Sequence, residues 1–582
     1  MLLAVAVAGS SAAGATETPA GAQRRPNVIL VLTDDQGYGD LSCHGNPILR
    51  TPNIDRFYAE AVRFTDFHVS PLCTPTRAAL LTGRDPGKVG AYRTSAGRMM
   101  LHRGERTIAD LFAANGYATG MFGKWHLGDH APHRPQDRGF QDIVWHRCGA
   151  IGHVSDVWGN DYFDDIYERN GRLEQFQGYC TDVWFREALR FVEENRDRPF
   201  FLYLPLNAPH TPLNVEEKWA APYEDKVPWP ALARYYGMIA NIDDNFGRFR
   251  QRIRELGLEE NTILIFMTDN GTYSGARFAD NDSLPIAGFN AGMRGRKASI
   301  FDGGHRVPFF IRWPAGGIGG GWDVDRLAVH LDVLPTLDEL CGIRVDADWG
   351  LDGQSLVPLL RREPSRWTRS QVVLQFHGGV TFERDREKWA FAYIMTDRWR
   401  LLHGRELYDI QNDPQQQTDL AGAYPDVVTA LREAYEPYWQ AVLPGFEPVR
   451  MDIGNPTENP VELSSHSWYT DHGNPPWNFR MIEKLPRVTA PWMLSVVRAG
   501  RYRLTLRQYP KRAEKPVRAV RARIRIGDIE AEQAVEAGSM GVVFEVDLPA
   551  GPTELTTWLY DEKGEAGGAY FTEVEYLGNA GS

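Results

Sequence analysis

Apolar runs alternate with amphipathic stretches over the first two thirds of the chain. The runs at 28–32 and 200–204 and the centre of 262–268 are continuous, which is typical of strands buried on both faces, and a short strand is predicted at 118–122. Helical periodicity and capping residues predict helices from Thr51, from Thr107 to Gly116, and over 181–195 and 231–256. Strands that alternate with helices predict an α/β fold with a mainly parallel sheet flanked by helices.

Polar motifs follow each of these strands directly. They lie at positions 34–35, 124–126, 207–210 and 269–270. Because open parallel sheets place their functional sites at the carboxyl ends of the strands, we expect these motifs to meet in one place.

Two of the motifs have the chemistry of a metal site. Asp34 and Asp35 are adjacent carboxylates, and Asp269 with Asn270 supplies two more oxygen ligands. An isolated Asp-Asp pair is often a helix cap or a turn. A second acidic pair at another strand end favours a metal, and hard oxygen ligands suit Ca²⁺ or Mg²⁺.

The pattern changes twice towards the C-terminus. Short strands at 372–376, 391–396 and 398–402 follow one another in hairpin-like succession, which predicts a small antiparallel sheet, and a helix is predicted at 427–442. Beyond 445 a segment rich in Pro, Asn, Trp and His precedes β patterning at 502–506, 517–526, 542–546, 554–560 and 570–576. We therefore predict an α/β domain over 26–365, a subdomain over 366–444 and a β-sandwich-like domain over 445–582. The last domain either borders a substrate cleft or binds glycan, or it serves packing alone.

Residues 129–178 are rich in Gly, Asp, His and aromatic side chains and show weak periodicity. We predict long loops there, and long loops in a compact domain are often functional.

The net charge of the chain and its N-terminal segment bear on which partners and which compartment we expect. The net charge of -12 argues against nucleic acid, so an anionic substrate would need a local basic pocket. Residues 1–25 resemble a secretory signal without a basic n-region, or else a disordered tail, and we predict a periplasmic or secreted protein. No other apolar run is long enough to span a bilayer.

The five cysteines are scattered and show no CxxC spacing, which argues against a zinc site. A single disulfide, for example between Cys148 and Cys180, is compatible with an oxidising compartment.

One cysteine stands in a distinctive stretch, Cys73-Thr74-Pro75-Thr76-Arg77, which continues to Leu81-Thr82-Gly83-Arg84. Pro75 suits a first helical turn, so Cys73 should lie at a helix N-terminus, where an anion is favoured. Arg77 lies one turn on and can bind an oxyanion. This pattern indicates a nucleophile directed at a sulfate or phosphate ester, and the alternative is a buried cysteine beside a structural arginine.

The same stretch resembles the signature of the type I sulfatases, in the alkaline phosphatase superfamily, with Thr76 where that family usually has Ser. Further motifs match over residues 26–442, including Gly123-Lys124-Trp125-His126, Ala208-Pro209-His210 and Arg294-Gly295-Arg296-Lys297. The resemblance implies that Cys73 is converted to formylglycine by a formylglycine-generating enzyme. It also implies a calcium site formed by Asp34, Asp35, Asp269 and Asn270 and completed by the modified Cys73.

The resemblance further implies roles for the cationic side chains. Arg77 supports the nucleophile, and Lys124 and Lys297 neutralise the sulfuryl oxygens. His210 protonates the leaving oxygen, and His126 acts as the base that releases sulfate. His305 stands where the family commonly has an apolar residue, so it is either a substrate contact or a tolerated replacement.

Three functions are compatible with these motifs. The first is a sulfatase that acts on sulfated carbohydrate, favoured by the export signal, the aromatic loops and the extra domain. The second is a phosphonate monoester or phosphodiester hydrolase of the same superfamily. The third is a glycan-binding relative without catalysis, in which Cys73 remains a thiol.

Overall fold

The computed structural model describes residues 25–377, 387–471 and 473–579, so the predicted export segment lies outside it except for Arg25. A ten-stranded sheet forms the centre of the molecule. From edge to edge its strands are Trp322–Val324, Val62–Phe64, Phe309–Arg312, Thr262–Thr268, Asn27–Thr33, Phe200–Pro205, Ala118–Lys124, Asp142–His146, Ile166–Arg169 and Arg172–Gln175.

The five strands from Thr262–Thr268 to Asp142–His146 are parallel to one another. All seven residues of the middle strand, Asn27–Thr33, are buried, because helices cover both faces of the sheet. Val28, Leu30 and Leu32 belong to one hydrophobic core, and Ile29 and Val31 belong to the other. The predicted α/β fold with a mainly parallel sheet is confirmed.

The helices of the described chain vary in length from four to 26 residues. They are Pro52–Glu60, Cys73–Thr82, Pro86–Val89, Ile108–Ala114, Cys180–Asn195, Glu217–Ala220, Pro230–Glu255, Asp302–His305, Val333–Cys341, Val357–Leu360, Pro425–Val442 and Phe479–Ile482. Among them, none combines the length and the apolar character needed to cross a bilayer.

The prediction that 129–178 consists of loops was wrong in part. Asp142–His146 continues the parallel sheet, and Ile166–Arg169 and Arg172–Gln175 form an antiparallel edge to it. The apolar run of Asp142–His146 contains only Ile143, Val144 and Trp145 between polar neighbours. A run this short carries too little periodicity to be recognised as a strand.

Three smaller sheets follow the α/β core. Val372–Gln375, Ala392–Met395, Trp399–Leu402 and Glu406–Asp409 form the predicted antiparallel sheet. Beyond it, two sheets enclose one hydrophobic core. The larger comprises Met451–Ile453, Trp492–Val496, Gly551–Tyr560, Arg521–Ile526, Ile529–Ala534 and Ala566–Gly567; the smaller comprises Val461–Ser464, Phe571–Gly578, Gly500–Arg507 and Val542–Leu548.

The five cysteines are free thiols, and the disulfide considered between Cys148 and Cys180 is not formed. Cys180 instead lies 3.6 Å from the side-chain amide of Asn207, and the N–H of Cys148 donates to Asp129 at 2.9 Å.

Glu458 joins the C-terminal sheets to the α/β core. Its carboxylate accepts hydrogen bonds from His130 Nδ1 at 3.0 Å and from the Ala131 N–H at 2.7 Å, and Arg147 lies 3.7 Å away. Burial alone would raise the pKa of this carboxyl, but His130 and Arg147 together lower it to about 2. The carboxylate is therefore held in its charged form by the contact between the two parts of the chain.

We expect Glu458→Ala to lower the free energy of unfolding by about 3 kcal/mol, because it leaves the buried donors His130 Nδ1 and Ala131 N–H without their acceptor. Since the folded pKa is depressed, the contribution is present above pH 4.5 and is lost as the pH falls towards 2. Urea unfolding at several pH values measures both effects. Glu530→Ala, which removes an exposed partner of Arg523, is the matched control and should change nothing measurable.

Candidate active site

Side chains from distant parts of the chain meet at the carboxyl edge of the central sheet. Asp34 and Asp35 follow the middle strand, and Asp269 and Asn270 follow its neighbour Thr262–Thr268. Asp35 has a backbone φ of 64°, a conformation that non-glycine residues rarely adopt and that functional sites often retain. Cys73 is the first residue of the helix Cys73–Thr82, whose ten residues are all buried.

Three cations, the buried Arg77 and Lys124 and the partly buried Lys297, pair with three buried carboxylates in this cluster. Lys124 Nζ donates to Asp34 Oδ2 at 2.5 Å, and Lys297 Nζ lies 2.5 Å from Asp35 Oδ1. Arg77 donates twice to Asp269 Oδ2, at 2.9 and 3.2 Å. Although burial opposes its charge, the pKa of Asp35 is lowered to about 2, mainly by Lys297. Burial and the neighbouring Asp34 raise the pKa of Asp269 to about 6.

Oxygen atoms remain unpaired at the centre of this cluster. Asp34 Oδ1, Asp35 Oδ2 and Asn270 Oδ1 are buried and have no hydrogen-bond partner in the described part of the chain. Asp34, Cys73 and Asp269 each offer a ligand atom within 4.8 Å of the other two. Because a buried unpaired oxygen is costly, a set of them at one place is the donor set expected of a cation site. Carboxylate and amide oxygens fit Ca²⁺ or Mg²⁺, so the residues present match the predicted metal.

His126 is oriented towards residue 73. Cys73 Sγ lies 3.3 Å from His126 Nδ1, and His126 Nε2 donates to the Thr94 carbonyl at 3.1 Å. The Nδ1 lone pair therefore faces residue 73. Burial, reinforced by Lys124, holds the pKa of His126 well below its usual range, and burial raises the pKa of the Cys73 thiol. The imidazole is a neutral base, and the unmodified thiol is a poor nucleophile.

His210 lies close to the carboxylates of Asp34 and Asp35. Its Nδ1 donates to the Thr211 carbonyl at 2.7 Å, so Nε2 faces the pocket, 3.6 Å from Asp35 Oδ2. Burial lowers the pKa of His210 to about 3, which leaves the ring neutral in the absence of an anionic ligand.

An open cavity of about 250 Å³ lies above these groups. Asp35, Cys73, His126, His210 and Lys297 line it, whereas Arg77 and Lys124 are fully buried behind it. The sequence analysis missed several of the other lining residues, which include Thr94, Gly149, His153, Tyr273, His466, Asn474 and Trp477.

The last three of these residues come from the C-terminal domain. His466 Nε2 donates to the Thr94 carbonyl at 3.0 Å, the same oxygen that orients His126, and the two rings lie 6.0 Å apart. Ser95 donates to Asn474 at 3.0 Å across the same boundary. The only signal in the sequence was the Pro, Asn, Trp and His content of this segment. The domain therefore borders the pocket, as one of the two predictions for it stated.

His305 is not in the pocket. Its ring is buried, its Nδ1 lies 2.8 Å from His68 Nδ1, and its Nε2 donates to the Ile300 carbonyl at 3.0 Å. It also stacks on Tyr393 at a centroid distance of 4.6 Å. Both ring nitrogens are engaged within the protein and the residue packs the core, so of the two alternatives for His305 the substrate contact is wrong and the tolerated replacement remains.

Comparison with known proteins identifies similar chains. The sulfatase family model matches residues 26–343, and a model for the C-terminal part of N-sulphoglucosamine sulphohydrolase matches residues 296–436. N-acetylgalactosamine-6-sulfatase of Rattus norvegicus is 32% identical over 363 residues, which cover 59% of this chain and 67% of the relative. Arylsulfatase A of Homo sapiens is 31% identical over 469 residues, which cover 70% and 87%.

A solved structure is also similar to this chain. The crystal structure of Ps i-CgsB in complex with k-i-k-neocarrahexaose is similar with a TM-score of 0.63 and 28% identity, and the match covers 72% of this chain and 93% of that one. Residues beyond 436 lie outside both matched family models.

Proposed function

Because this chain belongs to the type I sulfatase family of the alkaline phosphatase superfamily, and is a sulfuric ester hydrolase, we propose that it removes sulfate from sulfated carbohydrates with formylglycine at position 73 and a bound Ca²⁺. One observation supports this mechanism above the others. Buried, unpaired oxygens of Asp34, Asp35 and Asn270 lie beside Cys73 at the N-terminus of a buried helix.

The chemistry at position 73 requires an oxygen nucleophile. A cysteine thiol with a raised pKa is protonated and reacts poorly, and a sulfate ester on an ordinary hydroxyl could be released only by water attack at sulfur. Formylglycine supplies a hydrated aldehyde, whose sulfate ester can be released by elimination. We infer that a formylglycine-generating enzyme makes this change by acting on Cys73-Thr74-Pro75-Thr76-Arg77.

Asp34, Asp35, Asp269 and Asn270 would hold the metal ion. Bound Ca²⁺ supplies positive charge that lowers the pKa of an adjacent hydroxyl and neutralises an oxyanion. Mg²⁺ has the same ligand preferences but demands a tighter octahedral arrangement.

The cationic side chains have separate tasks in this proposal. Lys297 lines the pocket and Lys124 lies behind it, so both can offset charge that develops on the sulfuryl oxygens. His126 Nδ1 faces residue 73 and serves as the base that removes a proton there.

His210 Nε2 faces the pocket and donates a proton to the leaving oxygen. The bound sulfate monoester is an anion, and an anion beside the ring raises the pKa of His210 from its value of about 3 in this structure.

A carbohydrate substrate fits the lining of the cavity. Trp477, Tyr273 and His153 provide aromatic surface next to polar groups, and an open mouth leaves room for a hydrophilic substrate. One of the relatives reported above is named for a sugar, N-acetylgalactosamine, and the solved structure contains the oligosaccharide k-i-k-neocarrahexaose. We also propose that residues 1–25 direct export, which N-terminal sequencing of the protein from its native host would test.

Two measurements test the proposed function. We expect sulfate release from 4-nitrophenyl sulfate and from members of a defined panel of sulfated sugars, and hydrazine-reactive formylglycine in the peptide that contains residue 73. A phosphodiester turned over orders of magnitude faster than the sulfate esters would contradict the assignment. An unmodified thiol in protein from the native host would support a non-catalytic relative instead.

The position of His126 gives a further prediction. A methyl group added at Gly149 would come within 2.7 Å of His126 Cε1 and 2.8 Å of His126 Nε2, so the ring must move. Because displacing a catalytic group by about 1 Å can cost about 100-fold, we expect Gly149→Ala to lower kcat by about that factor. The measurement is turnover of 4-nitrophenyl sulfate, with Ca²⁺ affinity by calorimetry as the readout that should not change.

Gly104→Ala is the matched control, because a Cβ atom at that position would meet no atom within 4 Å. Equal kcat values for the Gly149→Ala and Gly104→Ala proteins would show that the orientation of His126 does not matter for turnover.

A further inference from the structure

A second cavity, of about 570 Å³, extends the catalytic pocket along the protein surface. One wall is formed by residues 151–161 and 211–214 of the α/β core, and the other by residues 477–483 of the C-terminal domain. His153, Thr211 and Trp477 line both cavities, so pocket and groove form one continuous cleft.

A row of aromatic rings extends from His210 in the catalytic pocket into this groove. The ring centroids of His210 and His153 lie 6.1 Å apart, and those of His153 and Trp477 lie 4.8 Å apart, both in edge-to-face geometry. Backbone contacts fix this arrangement, because the Val154 N–H donates to the Trp477 carbonyl at 3.2 Å. Trp158 packs edge-to-face on Phe479 at 4.6 Å and forms the next part of the lining.

The groove also contains a free cation. Arg480 is exposed, and among residues 25–377, 387–471 and 473–579 its guanidinium has no hydrogen bond or ion pair. The nearby Glu483 lies 3.7 Å from Lys515, which offsets its charge. An unpaired guanidinium beside a partly exposed indole is suited to a sugar ring that carries an anionic group.

We propose that this groove binds a second sugar residue, linked to the one that bears the scissile sulfate, with its ring against Trp477 and a carboxylate or sulfate substituent on Arg480. The inference rests on the proposed function and specifies the substrate as an oligosaccharide. It assigns this subsite to the domain beyond residue 436, which neither family model covers. A cleft of this size accommodates ligands larger than one sugar.

The test uses the full-length enzyme and 4-nitrophenyl sulfate, together with a panel of sulfated hexoses, N-acetylhexosamines and fucoses. Each sulfated sugar is supplied free, linked to neutral galactose, and linked to a uronic acid or to a second sulfated residue. For the best substrate we expect kcat/KM to be at least tenfold higher for the disaccharides than for the monosaccharide. In the wild type, kcat/KM should be higher when the second sugar is anionic than when it is neutral galactose. We expect the Arg480→Ala protein to show a ratio of these two kcat/KM values that is at least tenfold smaller.

Two further variants sharpen the result. Trp477→Ala should lower the ratio of disaccharide to monosaccharide kcat/KM, and its thermal unfolding shows whether the domain remains folded. Arg487→Ala is the matched control, because Arg487 lies in the same domain, outside the groove, and pairs with Asp561 at 3.1 Å. It should leave every ratio unchanged.

The failures of the two proposals are distinguishable. If the monosaccharide and disaccharide have equal kcat/KM, or if the Arg480→Ala and Trp477→Ala proteins keep the wild-type ratios, the groove is not a subsite and the proposed function stands. If 4-nitrophenyl sulfate is hydrolysed but no sulfated sugar is, the carbohydrate part of the proposed function fails, and the groove proposal fails with it.

Discussion

Replacement of Cys73 by Ala should abolish sulfate ester hydrolysis, with a fall in kcat of at least about four orders of magnitude. Loss of a nucleophile commonly has an effect of this size, because the remaining charged groups can only polarise the ester. Cys73 lines the pocket and is the residue that we propose is oxidised to an aldehyde, and its Sγ lies 3.3 Å from His126 Nδ1. The measurement is turnover of 4-nitrophenyl sulfate, with the identity of residue 73 verified by peptide mass spectrometry.

Cys73→Ser separates the nucleophile from the turnover chemistry. A serine hydroxyl at this position can accept one sulfuryl group but cannot release it by elimination, so we expect at most a single turnover and a protein that retains sulfate. Cys43→Ala is the matched control, since Cys43 is half-buried near Asp55 and outside the pocket. Substantial multiple turnover by the Cys73→Ala protein would refute the assignment of residue 73.

Removal of the metal should have the second largest effect. Chelation leaves Asp34, Asp35 and Asn270 with unpaired buried oxygens, so we expect loss of activity and a lower melting temperature, both restored by Ca²⁺. A free Ca²⁺ concentration of about 100 times Kd should stabilise the folded protein by about 2.7 kcal/mol. Differential scanning calorimetry with EGTA, Ca²⁺ and Mg²⁺ measures this stabilisation and its ion preference.

A single-residue variant tests whether Ca²⁺ binds at Asp35. Asp35→Asn preserves the shape of the side chain but removes the charge beside Lys297, and we expect it to weaken Ca²⁺ binding at least about tenfold. Asp323→Asn, a half-exposed carboxylate paired with Arg63, is the control and should bind Ca²⁺ like the wild type. A chelated protein with full activity and an unchanged melting temperature would contradict the metal proposal.

Much of the site could be predicted because residues that follow parallel strands lie at the same edge of the sheet. The runs before Asp34 and Asp269 are continuous and apolar, and their pairing with Val28 opposite Ile263 brings the two motifs to the same edge. The N-terminal position of Cys73 in its helix likewise followed from local sequence, since Pro75 is compatible with only the first turn of a helix.

The remaining parts of the site depend on contacts between distant segments of the chain. The hydrophobic periodicity of the sequence does not predict such contacts. His466 and Trp477 reach the pocket only because the C-terminal sheets dock through contacts such as those of Glu458. His305 lies close in sequence to Lys297 but turns into the core, where His68 and Ile300 occupy its ring nitrogens. A polar residue next to a catalytic motif does not reveal by its position which way its side chain points.

The complete burial of the helix Cys73–Thr82 has a consequence for the timing of maturation. An enzyme that oxidises Cys73, as we propose, would have to grasp several consecutive residues, and in the folded protein all ten residues of this helix are buried. We therefore expect conversion to occur on the nascent chain, since Cys73 leaves the ribosome long before the later strands of the α/β core are synthesised. Protein that folds first would keep its thiol permanently, so the yield of active enzyme would depend on a race between oxidation and folding.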